Sequence, residues 1–144
     1  MRPSDLTSLV DGLLHDETQV TERGLDLTVN EVYVVDDAGR VDFGGGELED
    51  ATLSPHEKQW RNEDDDYQWW RLDGGQYLVE YNESLRVDRP LQVQTRDELL
   101  ARGAFHPSLR VTSLDRVPLA VPPGGLRLKE NARVSTLLPP EDDE

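Results

Sequence analysis

The sequence predicts a mostly β domain, an all-β barrel or sandwich carrying two small helices. Three observations support this. Apolar and polar residues alternate in many short runs, turns rich in Gly, Pro and Asp separate those runs, and two stretches alone carry helical spacing. A chain of 144 residues fits a single domain around one core. That domain is expected over 1–138, followed by an acidic, disordered tail over 139–144.

The first helix is expected to start at Ser4, a good N-cap, with Asp5 in its first turn and Leu6, Leu9, Val10, Leu13 and Leu14 on one face. That face would pack on the sheet or on a neighbouring subunit. Strands follow at 25–29 and 32–35, closed by the turn Asp36-Asp37-Ala38-Gly39. Residues 41–66 read as a long loop with room for one short strand near 41–43. Strand character returns at 69–72, at 76–82, where it is clearest, and at 91–94. A second short helix is expected over 95–103, with Thr95 and Glu98 as a capping box and Gly103 as a left-handed stop. The last third reads as strands at 109–112, 117–121, 126–128 and 132–137, with Pro122-Pro123-Gly124-Gly125 as a tight turn. No internal repeat is visible.

Charge limits the partners. Thirty Asp and Glu oppose fifteen Lys and Arg, a net charge of −15. Such a surface repels nucleic-acid phosphates and anionic lipid, so neither nucleic acid nor membrane is expected as a partner. It fits adaptation to high salt, where screening lengths shrink to about 3 Å and surface carboxylates cease to repel one another. The absence of cysteine excludes disulfides, thiol catalysis and zinc–thiolate sites. No apolar run nears a membrane span, and the N-terminus leads into an amphipathic stretch and not a signal-peptide core. A cytoplasmic location is expected.

Few residues stand out as chemistry. His15, His56 and His106 lack ligand spacing and read as surface or loop histidines. Gly44-Gly45-Gly46 lacks the lysine and the following helix of a phosphate loop. The run Glu63-Asp64-Asp65-Asp66 lacks the alternating oxygen ligands of a calcium loop. Tyr67, Trp69 and Trp70 could stack on a base but are expected in the core or a subunit interface. Arg96 and Arg102 on the second helix could hold phosphates, although Asp97 and Glu98 lie between them and an ordinary capped helix with local ion pairs is the plainer reading.

Four segments, taken in order, resemble the dUTPase and dCTP deaminase superfamily. Arg23-Gly24-Leu25-Asp26-Leu27 is similar to its early xLDL or GxDL motif. The segment from Gly74 through Tyr77-Leu78 to Glu83 is similar to a strand written there as a Pro-Gly turn, an aromatic-Leu pair and a later Glu. Thr95-Arg96-Asp97-Glu98-Leu99-Leu100-Ala101-Arg102-Gly103 resembles PRSSLARxG, with Arg96, Leu99 and Gly103 on matching positions. The stretch from Gly125-Leu126-Arg127-Leu128 to Arg133-Val134-Ser135-Thr136-Leu137 resembles GLRLxxGxRIxQL.

The resemblance implies a jelly-roll-like distorted β-barrel, usually a homotrimer. It also implies sites between subunits that take a deoxyribonucleoside triphosphate, dUTP or dCTP, with magnesium. Members hydrolyse dUTP to dUMP and diphosphate, deaminate dCTP, or do both. Several positions depart from the pattern. Asp97 and Glu98 replace two phosphate-gripping serines, the pyrimidine-reading hairpin is shortened, and no deaminase glutamate appears in Val117-Pro118-Leu119-Ala120-Val121. The Gly-rich phosphate lid is replaced by the acidic tail. Two functions follow. One is a dUTPase-like hydrolase with Asp115 as base, His106 as its alternate, and Arg96 and Arg102 on the phosphates. The other is a catalytically inactive binding, regulatory or structural protein on the same fold. The motif positions Asp26, Asp97, Glu98 and Gly103 belong to either reading.

Overall fold

A computed structural model describes residues 1–140; the tail residues 141–144 lie outside the described residues. The chain opens with a 3-10 helix, Pro3–Leu9, followed by β1 (Val10–Asp11) and the one-turn helix α1 (Asp16–Gln19). Next come β2 (Leu25–Asp37), β3 (Thr52–Pro55), β4 (Trp69–Leu72), β5 (Gly75–Tyr81), β6 (Ser84–Leu85) and β7 (Leu91–Thr95). Helix α2 (Asp97–Leu100) precedes β8 (Leu109–Val111), β9 (Val117–Val121), β10 (Leu126–Lys129) and β11 (Arg133–Leu137). The main sheet runs β8-β7-β11-β2-β5-β9, antiparallel throughout, with β3 added to β2. It curls into a half-barrel consistent with the expected dUTPase-like jelly roll. Two ribbons complete it, β1 with β6 and β4 with β10.

Strand β2 organises the sheet. Its first half pairs with β11, its middle with β5 and its end with β3. Residues 25–29 are buried on both faces. Leu25, Leu27 and Val29 enter the apolar core with Val79, Val93, Leu119 and Trp70, whereas Asp26 and Thr28 point to the opposite face. Leu137 pairs with Leu25 and Thr136 with Asp26, so β11 repeats the same division of faces. Gly24 permits this closeness, since a Cβ there would stand 2.1 Å from the Leu137 carbonyl oxygen.

Several expectations are corrected. The N-terminal helix ends at Leu9, and Arg2, not Ser4, holds the cap position, with the Asp5 carboxylate accepting from the Arg2 amide at 2.8 Å. The chain leaves the helix because Val10 is buried by pairing with Leu85, and Leu14 stays exposed. The two strands expected at 25–29 and 32–35 are one, bent by a register shift between Val29 and Glu31. The expected loop over 41–66 contains β3, which adds to the far end of β2, while 41–43 forms no strand. Thr95 is not a cap but the last residue of β7, and its hydroxyl exchanges hydrogen bonds of 2.9 Å with the His106 backbone. Gly103 does stop the helix, at φ 85°. His106 is no surface residue, being 4% exposed. Of the aromatic trio, Trp70 fills the core and Tyr67 is exposed.

Candidate active site

The centre on the polar face of β2 is Asp26. Its side chain is 3% exposed, so the carboxylate needs donors to offset lost hydration. Three converge on it. Arg96 Nε donates at 3.1 Å, Arg133 Nη1 at 3.2 Å and the Thr136 hydroxyl at 2.8 Å. Arg133 also donates to the Thr18 carbonyl at 3.1 Å, which ties α1 to the cluster. Two guanidinium groups on one carboxylate leave a surplus positive charge beside α2. Arg96 uses Nε alone for Asp26, and its terminal nitrogens have no acceptor among the described residues.

Around this centre the carboxylates of α2 are engaged outward. Asp97 pairs with Arg23 at 2.6 Å, both exposed. Glu98 pairs with Arg102 at 3.5 Å, and Arg102 also donates to the Glu98 carbonyl. Arg102 is not drawn to Asp26. It lines a separate cavity with Arg71 and Arg127.

On the same polar face lies Glu83, buried and bonded only by donors: Thr28 N at 2.8 Å, the Thr28 hydroxyl and Gln19 Nε2 at 2.9 Å. Burial pushes its carboxyl above the usual value, while the bonds from Thr28 and Gln19 pull the other way. Thr28 in turn accepts from Asn82 Nδ2 at 2.9 Å.

His106 faces the interior. Its Nδ1 stands 2.8 Å from the Pro107 carbonyl, which can only accept, so Nδ1 carries the proton and Nε2 is the acceptor. Ser135 therefore donates to Nε2 at 2.7 Å, and Tyr81 donates to Ser135 at 2.6 Å. Burial lowers the His106 pKa and pushes the Tyr81 phenol up to about 12.

Asp115 is exposed on the loop between β8 and β9. It lines a cavity of about 600 Å³ with Asp50, Leu78, Glu80 and Arg116. Arg116 sits 3.5 Å from Glu80 and 4.4 Å above the Tyr33 ring, and Asn30 donates to Glu80 at 2.8 Å. The sequence-derived residues thus fall in separate places: Asp26 with Arg96, Arg102 apart, His106 in the core, Asp115 beside β5. Among the described residues no three His, Asp or Glu side chains converge as a metal cage. Arg133 and Glu80 were missed, although Arg133 stands on the arginine of the closing motif.

No family model matches the chain. Two curated proteins do. One from Methanosarcina acetivorans is 31% identical over 138 residues, spanning 90% of this chain and 77% of that protein. One from Methanosarcina mazei is 30% identical over the same extent. Both bear the name probable deoxyuridine 5'-triphosphate nucleotidohydrolase. The chain belongs to the dUTPase-like superfamily. Its place is therefore in dUTPase-like nucleotide metabolism. Within this dUTPase-like fold, the early motif supplies the buried carboxylate, the helix motif supplies Arg96 and the closing motif supplies Arg133 and Thr136. No helix among the described residues is long and apolar enough to cross a membrane.

Proposed function

We propose that the protein binds dUTP as its magnesium complex and hydrolyses it to dUMP and diphosphate, at a site completed by a second protomer. The observation that carries this reading is the Asp26 cluster. A buried carboxylate fixes Arg96 through Nε and leaves its terminal donors free, beside a second guanidinium on Arg133. A positioned surplus of guanidinium donors is what a triphosphate needs. Asp26 is then a positioning residue, and Arg96 touches phosphate. Magnesium needs only one or two protein carboxylates when phosphates supply the rest, which is compatible with described residues that form no cage of three or more. When bound, it would neutralise charge developing on the departing diphosphate.

The base is Asp115. It takes a proton from water as the water oxygen attacks the α-phosphorus, and the bond from that phosphorus to the oxygen bridging to the β-phosphorus breaks, leaving with diphosphate. Asp115 and Arg96 occupy different regions of one protomer, so the reading requires the trimer implied by resemblance to bring them together. The domain over 1–138 would be the unit that assembles.

A second reading has its own support. Asp97 and Glu98, paired with Arg23 and Arg102, stand on α2 next to Arg96 in place of two phosphate-gripping serines, and their charge repels a triphosphate unless a cation intervenes. Under it, the protein is an inactive binding, regulatory or structural member of the fold. Incubation with dUTP and with dCTP in the presence of magnesium, assaying diphosphate and ammonia, separates the two. Diphosphate release from dUTP that Asp115→Ala lowers by about 100-fold or more supports hydrolysis. Thermal stabilisation by dUTP without turnover supports the inactive member. Neither effect refutes both.

A further inference from the structure

We propose that the outward face of the β4–β10 ribbon binds a nucleotide-class ligand, a phosphate ester bearing a planar ring, at a site separate from the Asp26 and Asp115 centres. The pleat sends Trp70, Leu72 and Leu128 inward and Trp69, Arg71, Arg127 and Lys129 outward. In the ladder Arg71 lies directly opposite Arg127, and Trp69 opposite Lys129. Like charges directly opposite one another destabilise an antiparallel pair. Neither arginine has a carboxylate within ion-pair distance among the described residues, in a chain with twice as many acids as bases. Among the described residues these facing cations stand unneutralised, so a ligand's anion would be gained there without displacing a partner.

Aromatic groups adjoin the arginines. Trp69 is flanked by the Arg61 guanidinium at 5.1 Å and the Lys129 ammonium at 5.4 Å from its ring centre. Trp60 is 57% exposed. Two hollows meet at Arg71 and Arg127. The larger, about 590 Å³, is walled by Arg102, Asp73 and the Gly124-Gly125 turn. The smaller, about 50 Å³, is walled by Trp60, Trp69, Arg61 and Gln59. Phosphate oxygens match the guanidinium forks of the first, and a planar ring matches the indole of Trp60 at the second. An acidic peptide would satisfy the arginines and leave the aromatic wall unused. A nucleic-acid polymer would carry its charge across the rest of a surface bearing −15.

The test titrates the full chain with ATP, with inorganic tripolyphosphate and with single-stranded oligothymidylate, read by tryptophan emission and calorimetry. Saturable ATP binding is expected, with tripolyphosphate weaker. Arg71→Gln and Arg127→Gln should each weaken ATP by about tenfold, without lowering the melting temperature, because each removes a repulsion. Trp60→Ala should weaken ATP and leave tripolyphosphate unchanged. Turnover of dUTP in Arg71→Gln should equal that of the unmodified chain, so the fate of this site and of the hydrolase reading can be told apart. Absence of saturable binding by ATP and tripolyphosphate overturns the proposal. So does ATP affinity unchanged in both arginine variants, and so does binding of the oligonucleotide without ATP.

Discussion

Replacing Asp26 tests whether this motif carboxylate is first a structural clamp. Asp26→Ala removes the acceptor of three donors. All three bonds end on a carboxylate, and hydrogen bonds to charged groups contribute about 1.5–3 kcal/mol each. The side chains of Arg96 and Arg133 are 24% and 30% exposed, so water recovers part of their loss. Thr136 is sealed, and its hydroxyl recovers little. A net cost of about 3 kcal/mol follows, which for a domain of this size lowers the melting temperature by roughly 10 °C. Asp26→Asn keeps the shape and an oxygen for the arginines while losing the charge, and should lie about midway. Circular dichroism melts of the three proteins at neutral pH measure this. An alanine variant melting within about 2 °C of the unmodified chain would mean that the cluster is held by its surroundings and that Asp26 is not the clamp.

Three further outcomes are expected. Gly24→Ala drives a methyl into the Leu137 carbonyl oxygen and should destabilise by about 1–3 kcal/mol or more in urea titration; a neutral result would show that β2 and β11 separate easily. Glu83→Gln presents an amide N–H₂ to a ring of donors from Thr28 and Gln19, and should cost about 2 kcal/mol in the same titration, whereas an unchanged midpoint would mean the carboxyl already carries a proton there. His106 has a folded pKa lowered below 6.5, so its contribution is complete above 6.5 and is lost as pH falls through the folded value. Melts from pH 8 to 5 should therefore decline more steeply in the unmodified chain than in His106→Gln, and equal slopes would remove His106 as the cause.

What the sequence disclosed follows period and turn chemistry. The strands β4, β7 and β9 alternate cleanly, and β4 and β9 run into turns rich in Gly and Pro, so local pattern suffices. Strand β3 was hidden because Thr52-Leu53-Ser54-Pro55 sits in a polar stretch and ends on Pro. It is a strand because β2 is long enough to offer it a free edge, a fact of tertiary structure. The site was legible in pieces. Asp26 and Arg96 are marked by motif, but they are 70 residues apart, and the bond joining them requires β11 to lie beside β2 and β7. His106 shows the limit most plainly. In Phe105-His106-Pro107 the hydrophobe is 54% exposed and the imidazole 4%, the reverse of their hydropathies. The hydrogen bonds from the Thr95 side chain to the His106 backbone, and from Ser135 to its ring, decide which one turns inward.

The two cationic places of the molecule obey different physics, and that difference bears on function. At Asp26 the arginines share a carboxylate sealed in the fold, so their positions are set by the packing of β2 against β11, and bulk salt screens that contact weakly. A group held this way can present donors to a reacting phosphate with little reorganisation. On the ribbon, Arg71 and Arg127 are held by the pleat alone, and repulsion between them relaxes only when an anion arrives or salt screens it. Burial has fixed the first pair for positioning, whereas exposure leaves the second pair responsive to what is dissolved around it. In a chain of fifteen cations among thirty acids, placement and not number determines where an anionic ligand can stay.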